Sequence, residues 1–236
     1  MTAELFAESP ERDGRFVVKD VHADMANFPA DHPEHSVEFL HRQLNEELNS
    51  LEIAARNLVD FPEADWNLRL AIARQCADEA RHAIAFRRLL EKRGGAVGKY
   101  PVMNFQYRII TQINSLIGRL AVANRSFEAS GIDAIQDGIE TQRRKDDQEF
   151  VTLFDAQLAD EVQHVRFANV WIKKMIESDG PRAIMALARA IAHADQAFKL
   201  IAGGTGIYYP IADDIRREAG FTEDEIRTAH SFVPQQ

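Results

Sequence analysis

The stretch Asp78-Glu79-Ala80-Arg81-His82 decides the fold, because its pattern returns as Asp160-Glu161-Val162-Gln163-His164. Each is an Asp-Glu-x-x-His sequence. On a helix, residues i and i+3 share a face. Glu79 with His82, and Glu161 with His164, can therefore each grip a metal ion from one side. One Glu-x-x-His alone is commonplace on a solvated helix. Two copies on two long helical stretches, each preceded by Asp, are far more specific.

The residues around each motif sharpen the reading. At about 100° per residue, Leu68, Ile72, Ala83, Phe86 and Leu90 fall within roughly 40° of Glu79 on a helical wheel. Glu161 sits likewise among Phe150, Phe154, Val165, Ala168 and Ile172. Both glutamates thus interrupt faces that should be dry. An unpaired carboxylate there would cost several kcal/mol or stay protonated, and a divalent cation removes that cost.

A pair of ions needs further carboxylates from other helices. One is Glu128, which continues the stripe Ile110, Ile113, Ile117, Ala121 and Asn124. Another lies among Glu46, Glu47 and Glu52, beside the stripe Val37, Leu40, Leu44, Leu48, Leu51, Ala55 and Leu58. Glu46 points nearly opposite that stripe, and Glu47 and Glu52 flank it. Glu47 precedes Glu79 by 32 residues and Glu128 precedes Glu161 by 33. This spacing favours Glu47, with Glu52 in reserve.

Helical periodicity predicts helices over about 36–60, 63–94, 104–130, 146–177 and 181–202, with a short helical piece over 132–145 and two short helices near 210–219 and 222–230. Gly131 and the sequence Asp179-Gly180-Pro181 are the predicted stops. Residues 1–35 read as an irregular arm, 36–178 as a four-helix bundle, and 179–236 as a C-terminal helical extension packing on it. Strand signal is negligible apart from Arg15-Phe16-Val17-Val18, so the fold class is all-α.

Composition agrees. Ala, Leu, Ile, Glu and Arg dominate over Gly and Pro, which favours helix. A net charge of −9 argues against non-specific binding of nucleic acid. No apolar run is long enough for a membrane span. The first residues lack the apolar core of a signal peptide. With Cys76 as the single cysteine, no intramolecular disulfide forms, and a cytoplasmic location is expected.

One Glu from each of two helices plus a Glu-x-x-His from each of two others is the pattern of di-iron and di-manganese carboxylate bundles. The chain resembles the ferritin-like superfamily over about residues 36–178. Within it, ELNSLEIAARNLVDFP, DEARH and DEVQHVRFAN resemble a largely uncharacterised bacterial family. The resemblance implies a four-helix bundle with a long crossover between helices 2 and 3. It implies metal ligation by Glu47, Glu79, His82, Glu128, Glu161 and His164. Asp78 and Asp160 match acids that orient the histidine of the opposite helix. Arg81 matches the commonest form of the motif, and Gln163 departs from it.

Carboxylate and imidazole ligands suit iron, or manganese, or a mixed pair. The leading expectation is a di-iron oxygenase or oxidase that uses O2 on a small organic substrate. No cysteine pair or flavin signature is present, so electrons would come from a separate reductase or an external reductant. Alternatives are a ferroxidase and iron-storage protein, a di-manganese peroxide-consuming enzyme, and a metal-free structural bundle. A monomer or homodimer is expected for an oxygenase, and a cage for storage.

Overall fold

The computed structural model describes residues 8–202 and 209–232. The expected all-α class holds, with two three-residue strands as the exceptions among the described residues. The described residues form two compact units. One holds the residues up to Asn114 and those from Ala192 to the end of the long helix, and the other holds Ser115–Ile191 and the C-terminal residues. The boundary runs inside the span predicted as a bundle.

The first unit is built on a helical hairpin, α1 (His35–Asp60) and α2 (Trp66–Lys92). Asp65 caps α2, accepting a hydrogen bond from the Asn67 N–H at 2.8 Å. This cap starts the helix three residues later than periodicity suggested. Gly94 ends it with a φ of 77°, as a glycine C-terminus should. The hairpin core holds Leu40, Leu44, Ile53 and Ala54 of α1 with Leu68, Ile72, Ala83, Phe86 and Leu90 of α2, all buried.

On α1 the buried face differs from the predicted stripe. Leu48, Leu51, Ala55 and Leu58 are half-buried, whereas the polar residues His41, Asn45, Asn49 and Asn57 are buried. The N-terminal arm and the segment after α2 account for this. Strand β1 (Val17–Lys19) pairs in parallel with β2 (Pro101–Met103), in the segment left between the helices predicted over 63–94 and 104–130. The Met103 carbonyl accepts from the side chains of Asn45 at 2.8 Å and Asn49 at 3.3 Å. Gly98, at φ 86°, brings its N–H to His41 Nε2 at 2.8 Å. A Cβ there would meet the Arg15 carbonyl oxygen at 2.2 Å, so the close approach requires glycine.

The predicted helix over 104–130 is in fact divided. A short α3 (Phe105–Ile110) ends in a turn, and Ser115 is extended at φ −134°. The chain then continues in the second unit as α4 (Leu116–Val122), a π-helical segment (Ala123–Glu128) and α5 (Ala129–Arg144). Gly131 does not stop it. Its neighbours Ile132, Ile135 and Ile139 are buried, and that burial outweighs the roughly 1 kcal/mol cost of a helical glycine. Helix α6 (Gln148–Ala202) kinks at Asp179, the one non-helical residue within it, so the predicted break survives as a bend. Gly138 allows α5 to approach α6, since a Cβ there would lie 2.7 Å from Phe154 Cε2.

The short helices α7 (Asp213–Glu218) and α8 (Glu223–Phe232) close over α5 and α6. Ala219, Phe221 and Ile226 join Ala129, Ile132, Val162 and Val165 in one apolar cluster. A buried ion pair accompanies it, with Arg216 Nη2 2.5 Å from Asp133 Oδ2. Tyr209, where the described chain resumes, is half-buried. No described helix is long and apolar enough to cross a membrane.

Candidate metal centre

The first unit brings three of the sequence-derived ligands together. Glu79 and His82 project from α2 one turn apart, and Glu47 reaches them from α1. Their ligand atoms lie within 4.8 Å of one another. His82 Nδ1 is 3.1 Å from Glu47 Oε2 and 3.3 Å from Glu79 Oε2. All three side chains are buried, Glu79 to 1% exposure. The α2 residues predicted to surround Glu79 are buried with it.

The second unit repeats the arrangement. Glu161 and His164 project from α6, and Glu128 comes from the end of the π-helical segment. Their ligand atoms again lie within 4.8 Å of one another. His164 Nδ1 is 3.4 Å from Glu161 Oε2. Glu161 and His164 are buried and Glu128 is half-buried. Asn124, one turn before Glu128, donates to its Oε2 at 2.8 Å. The π-helical turn widens the helix where this glutamate leaves it, and Ser126 Oγ donates to the Ala121 carbonyl five residues back at 3.0 Å.

In both triads the imidazole turns Nδ1 toward the carboxylates. Without a metal, an N–H there donates to a carboxylate oxygen. With a metal, the same atom becomes a ligand once its proton has left. Two carboxylates and one imidazole form a hard oxygen-and-nitrogen donor set that fits iron or manganese. Burial makes the fit stronger, since charges this deep require a compensating cation or hydrogen bonds.

The remaining sequence candidates are placed as follows. Glu52 is turned to the N-terminal arm, where Arg12 Nη1 lies 2.5 Å and 2.6 Å from its two oxygens. The same guanidinium reaches Asn45 at 3.0 Å and Asn49 at 3.4 Å, so its partners run along one side of α1. Arg81 donates to Asp78 at 3.0 Å, and Arg74 approaches the other oxygen of Asp78 at 3.5 Å. Asp160 is half-buried. Gln163, which replaces the arginine of the motif, accepts from Arg166 at 3.1 Å.

Sequence reasoning passed over two glutamines. Gln75 Nε2 donates to Glu79 Oε1 at 3.2 Å, and Gln157 Nε2 donates to Glu161 Oε1 at 3.4 Å. Their signal was available. The repeated unit is longer than Asp-Glu-x-x-His, running Gln-x-Ala-Asp-Glu-x-x-His over 75–82 and again over 157–164.

Residues 2–227 match the family model described as protein of unknown function (DUF455). Among curated proteins, the bacterioferritin of Streptomyces coelicolor (strain ATCC BAA-471 / A3(2) / M145) is 28% identical over 133 residues. That alignment covers 56% of this chain and 75% of the bacterioferritin. No solved structure gives a match. The helices of the two units, with the additional C-terminal helices, are consistent with an all-α ferritin-like bundle.

Proposed function

We propose that this chain, which belongs to the DUF455 family, is a di-iron oxidoreductase of the ferritin-like superfamily that reduces O2. The observation that carries the reading is the duplication itself. Each unit presents one glutamate from one helix and a buried Glu-x-x-His from another, with the histidine Nδ1 turned to a carboxylate. On this reading each triad would supply ligands to one iron, with Glu47 and Glu128 as the single glutamates that join the two Glu-x-x-His pairs. A pair of ferrous ions supplies two electrons to dioxygen when bound.

The chain's own residues set the terms of that chemistry. The carboxylates neutralise the cations, and the apolar residues around Glu79 and Glu161 exclude water and strengthen the electrostatics. Asp78 and Asp160 would each accept from the Nε2–H of a ligating histidine and so fix its tautomer. The oxidised partner is a small organic molecule, which is hydroxylated or N-oxygenated, with further electrons from a separate reductase.

A second reading is favoured by the similarity to a bacterioferritin. In it the same centre oxidises ferrous iron as substrate. Two measurements separate the readings. After anaerobic loading with Fe(II), the protein should hold two irons per chain and consume O2 on exposure to air. Excess Fe(II) that is turned over repeatedly into a mineral-bearing cage favours iron oxidation and storage. A monomer or dimer that stops after one round favours the organic substrate. A chain that retains no iron overturns both.

A further inference from the structure

The π-helical segment Ala123–Glu128 ends on the ligand Glu128, and its Arg125 is joined to the C-terminal helices. Arg125 Nη1 donates to Asn169 Oδ1 at 2.5 Å, and Nη2 donates to Glu225 Oε1. The guanidinium carbon lies 4.8 Å from the centre of the Phe221 ring, close enough for a cation–π contact. Each partner is itself fixed. Asn169 of α6 is 1% exposed, and its Nδ2 donates to the Ala219 carbonyl at 2.9 Å. Glu225 Oε2 accepts from the Thr222 N–H at 2.8 Å, which caps the start of α8. Phe221, between α7 and α8, belongs to the apolar cluster of the second unit.

We propose that Arg125 is a positioning residue: docked on α6 and α8, it holds the π-helical turn and so keeps Glu128 directed at Glu161 and His164. This rests on the dinuclear reading above and deepens it. A π turn holds one residue more than an α turn and is rare, so something must hold it in place. In an α-helix each residue turns the chain by about 100°. Relaxation of the segment to regular α-helix would therefore rotate Glu128 by about that angle relative to α4 and carry it away from Glu161 and His164. The planar fork of an arginine suits the task, because two of its nitrogens fix one orientation against two elements. Ser126, which donates to the Ala121 carbonyl, is a local restraint on the turn. Arg125 adds distant ones, 44 residues away at Asn169 and 100 at Glu225. Docking of the C-terminal helices thereby reaches the metal centre through one side chain.

The test uses the full-length chain and Co(II) as probe, under anaerobic conditions, with wild type, Arg125→Met and Lys173→Met. Arg125→Met keeps an unbranched side chain and removes the guanidinium. Lys173→Met removes another anchor of the same C-terminal turn, at the Gly220 carbonyl, and leaves Arg125 in place. Wild type is expected to bind two Co(II) per chain. In Arg125→Met the visible absorption of the bound cobalt should change in position and intensity. Its affinity for the weaker ion, against a competing chelator, should fall by about 10–100-fold, the range for losing an outer partner of a ligand. In the metal-free variant the amides of residues 123–128 should exchange faster with deuterium. Lys173→Met should match wild type in all three measurements. Glu225→Gln, which removes the charge facing Arg125, is the second variant should Arg125→Met fail to fold, and should shift the cobalt absorption in the same sense. A two-cobalt wild type matched in spectrum and affinity by Arg125→Met, or a Lys173→Met altered as much as Arg125→Met, overturns the positioning role and leaves the dinuclear reading standing. A wild-type chain that binds no Co(II) overturns that reading and the role together.

Discussion

Glu47 of α1 and His82 of α2 meet across the helical hairpin of the first unit, with Glu47 Oε2 3.1 Å from His82 Nδ1. Glu52, five residues further along α1, belongs to Arg12 instead. The two glutamates are therefore predicted to fail differently. Glu47→Ala should weaken metal binding by more than the about 10–100-fold typical of losing an outer partner, with little effect on the melting of the metal-free protein. Glu52→Ala should leave metal affinity unchanged. It should cost about 2–3 kcal/mol of stability, somewhat below the range for breaking a fully buried pair because Glu52 keeps some exposure. Chelator competition and urea unfolding of both variants separate these outcomes.

The Asp133–Arg216 pair fastens the C-terminal helices to α5. Arg216 donates to both oxygens of Asp133, and the Ala212 N–H adds a further hydrogen bond at 3.0 Å. Asp133→Ala leaves a buried guanidinium without its carboxylate and should destabilise by about 3–5 kcal/mol. Limited proteolysis should then cut first between residues 209 and 232, at protease levels that leave wild type intact.

Two glycines on α5 should respond in opposite directions to alanine. Gly131 has nothing within 4 Å of a built Cβ, so Gly131→Ala should stabilise by about 0.5–1 kcal/mol. At Gly138 the new methyl would meet the Phe154 ring, and Gly138→Ala should cost about 1–3 kcal/mol. Thermal melts of the two variants check the pair in one experiment.

His41 is fully buried, and burial pushes its pKa down from 6.5 to about 4. The folded protein therefore binds fewer protons here than the unfolded chain between those two values. The resulting stability is fully present above pH 6.5 and is lost as the pH falls toward 4. His41→Gln keeps an acceptor for the Gly98 N–H without a titrating ring. Its unfolding free energy should decline less steeply across that window, as urea titrations at stepped pH will show.

How much of this could be read beforehand depended on burial periodicity. Glu79 and Glu161 were legible because their neighbours at helical spacing are large and apolar, and those neighbours are buried in the structure. The π-helical turn before Glu128 left no trace, since one residue in a wider turn hardly disturbs a 3.6-residue stripe. Gly131 was misread as a stop because a local propensity of about 1 kcal/mol was set against tertiary burial that cannot be seen locally. The buried asparagines of α1 were invisible for the same reason. For Asn45 and Asn49 the partners are Arg12 and the Met103 carbonyl, 33 and 58 residues away from Asn45. Gln75 and Gln157 were passed over because an amide reads as surface unless the two octapeptides are aligned.

The central claim is that two metal ions sit on the six residues Glu47, Glu79, His82, Glu128, Glu161 and His164. Anomalous scattering at the iron edge, from crystals of the full chain loaded anaerobically with Fe(II), tests it directly. The account predicts two peaks, one against His82 Nδ1 and the other against His164 Nδ1. A single peak, peaks away from these histidines, or none would contradict it.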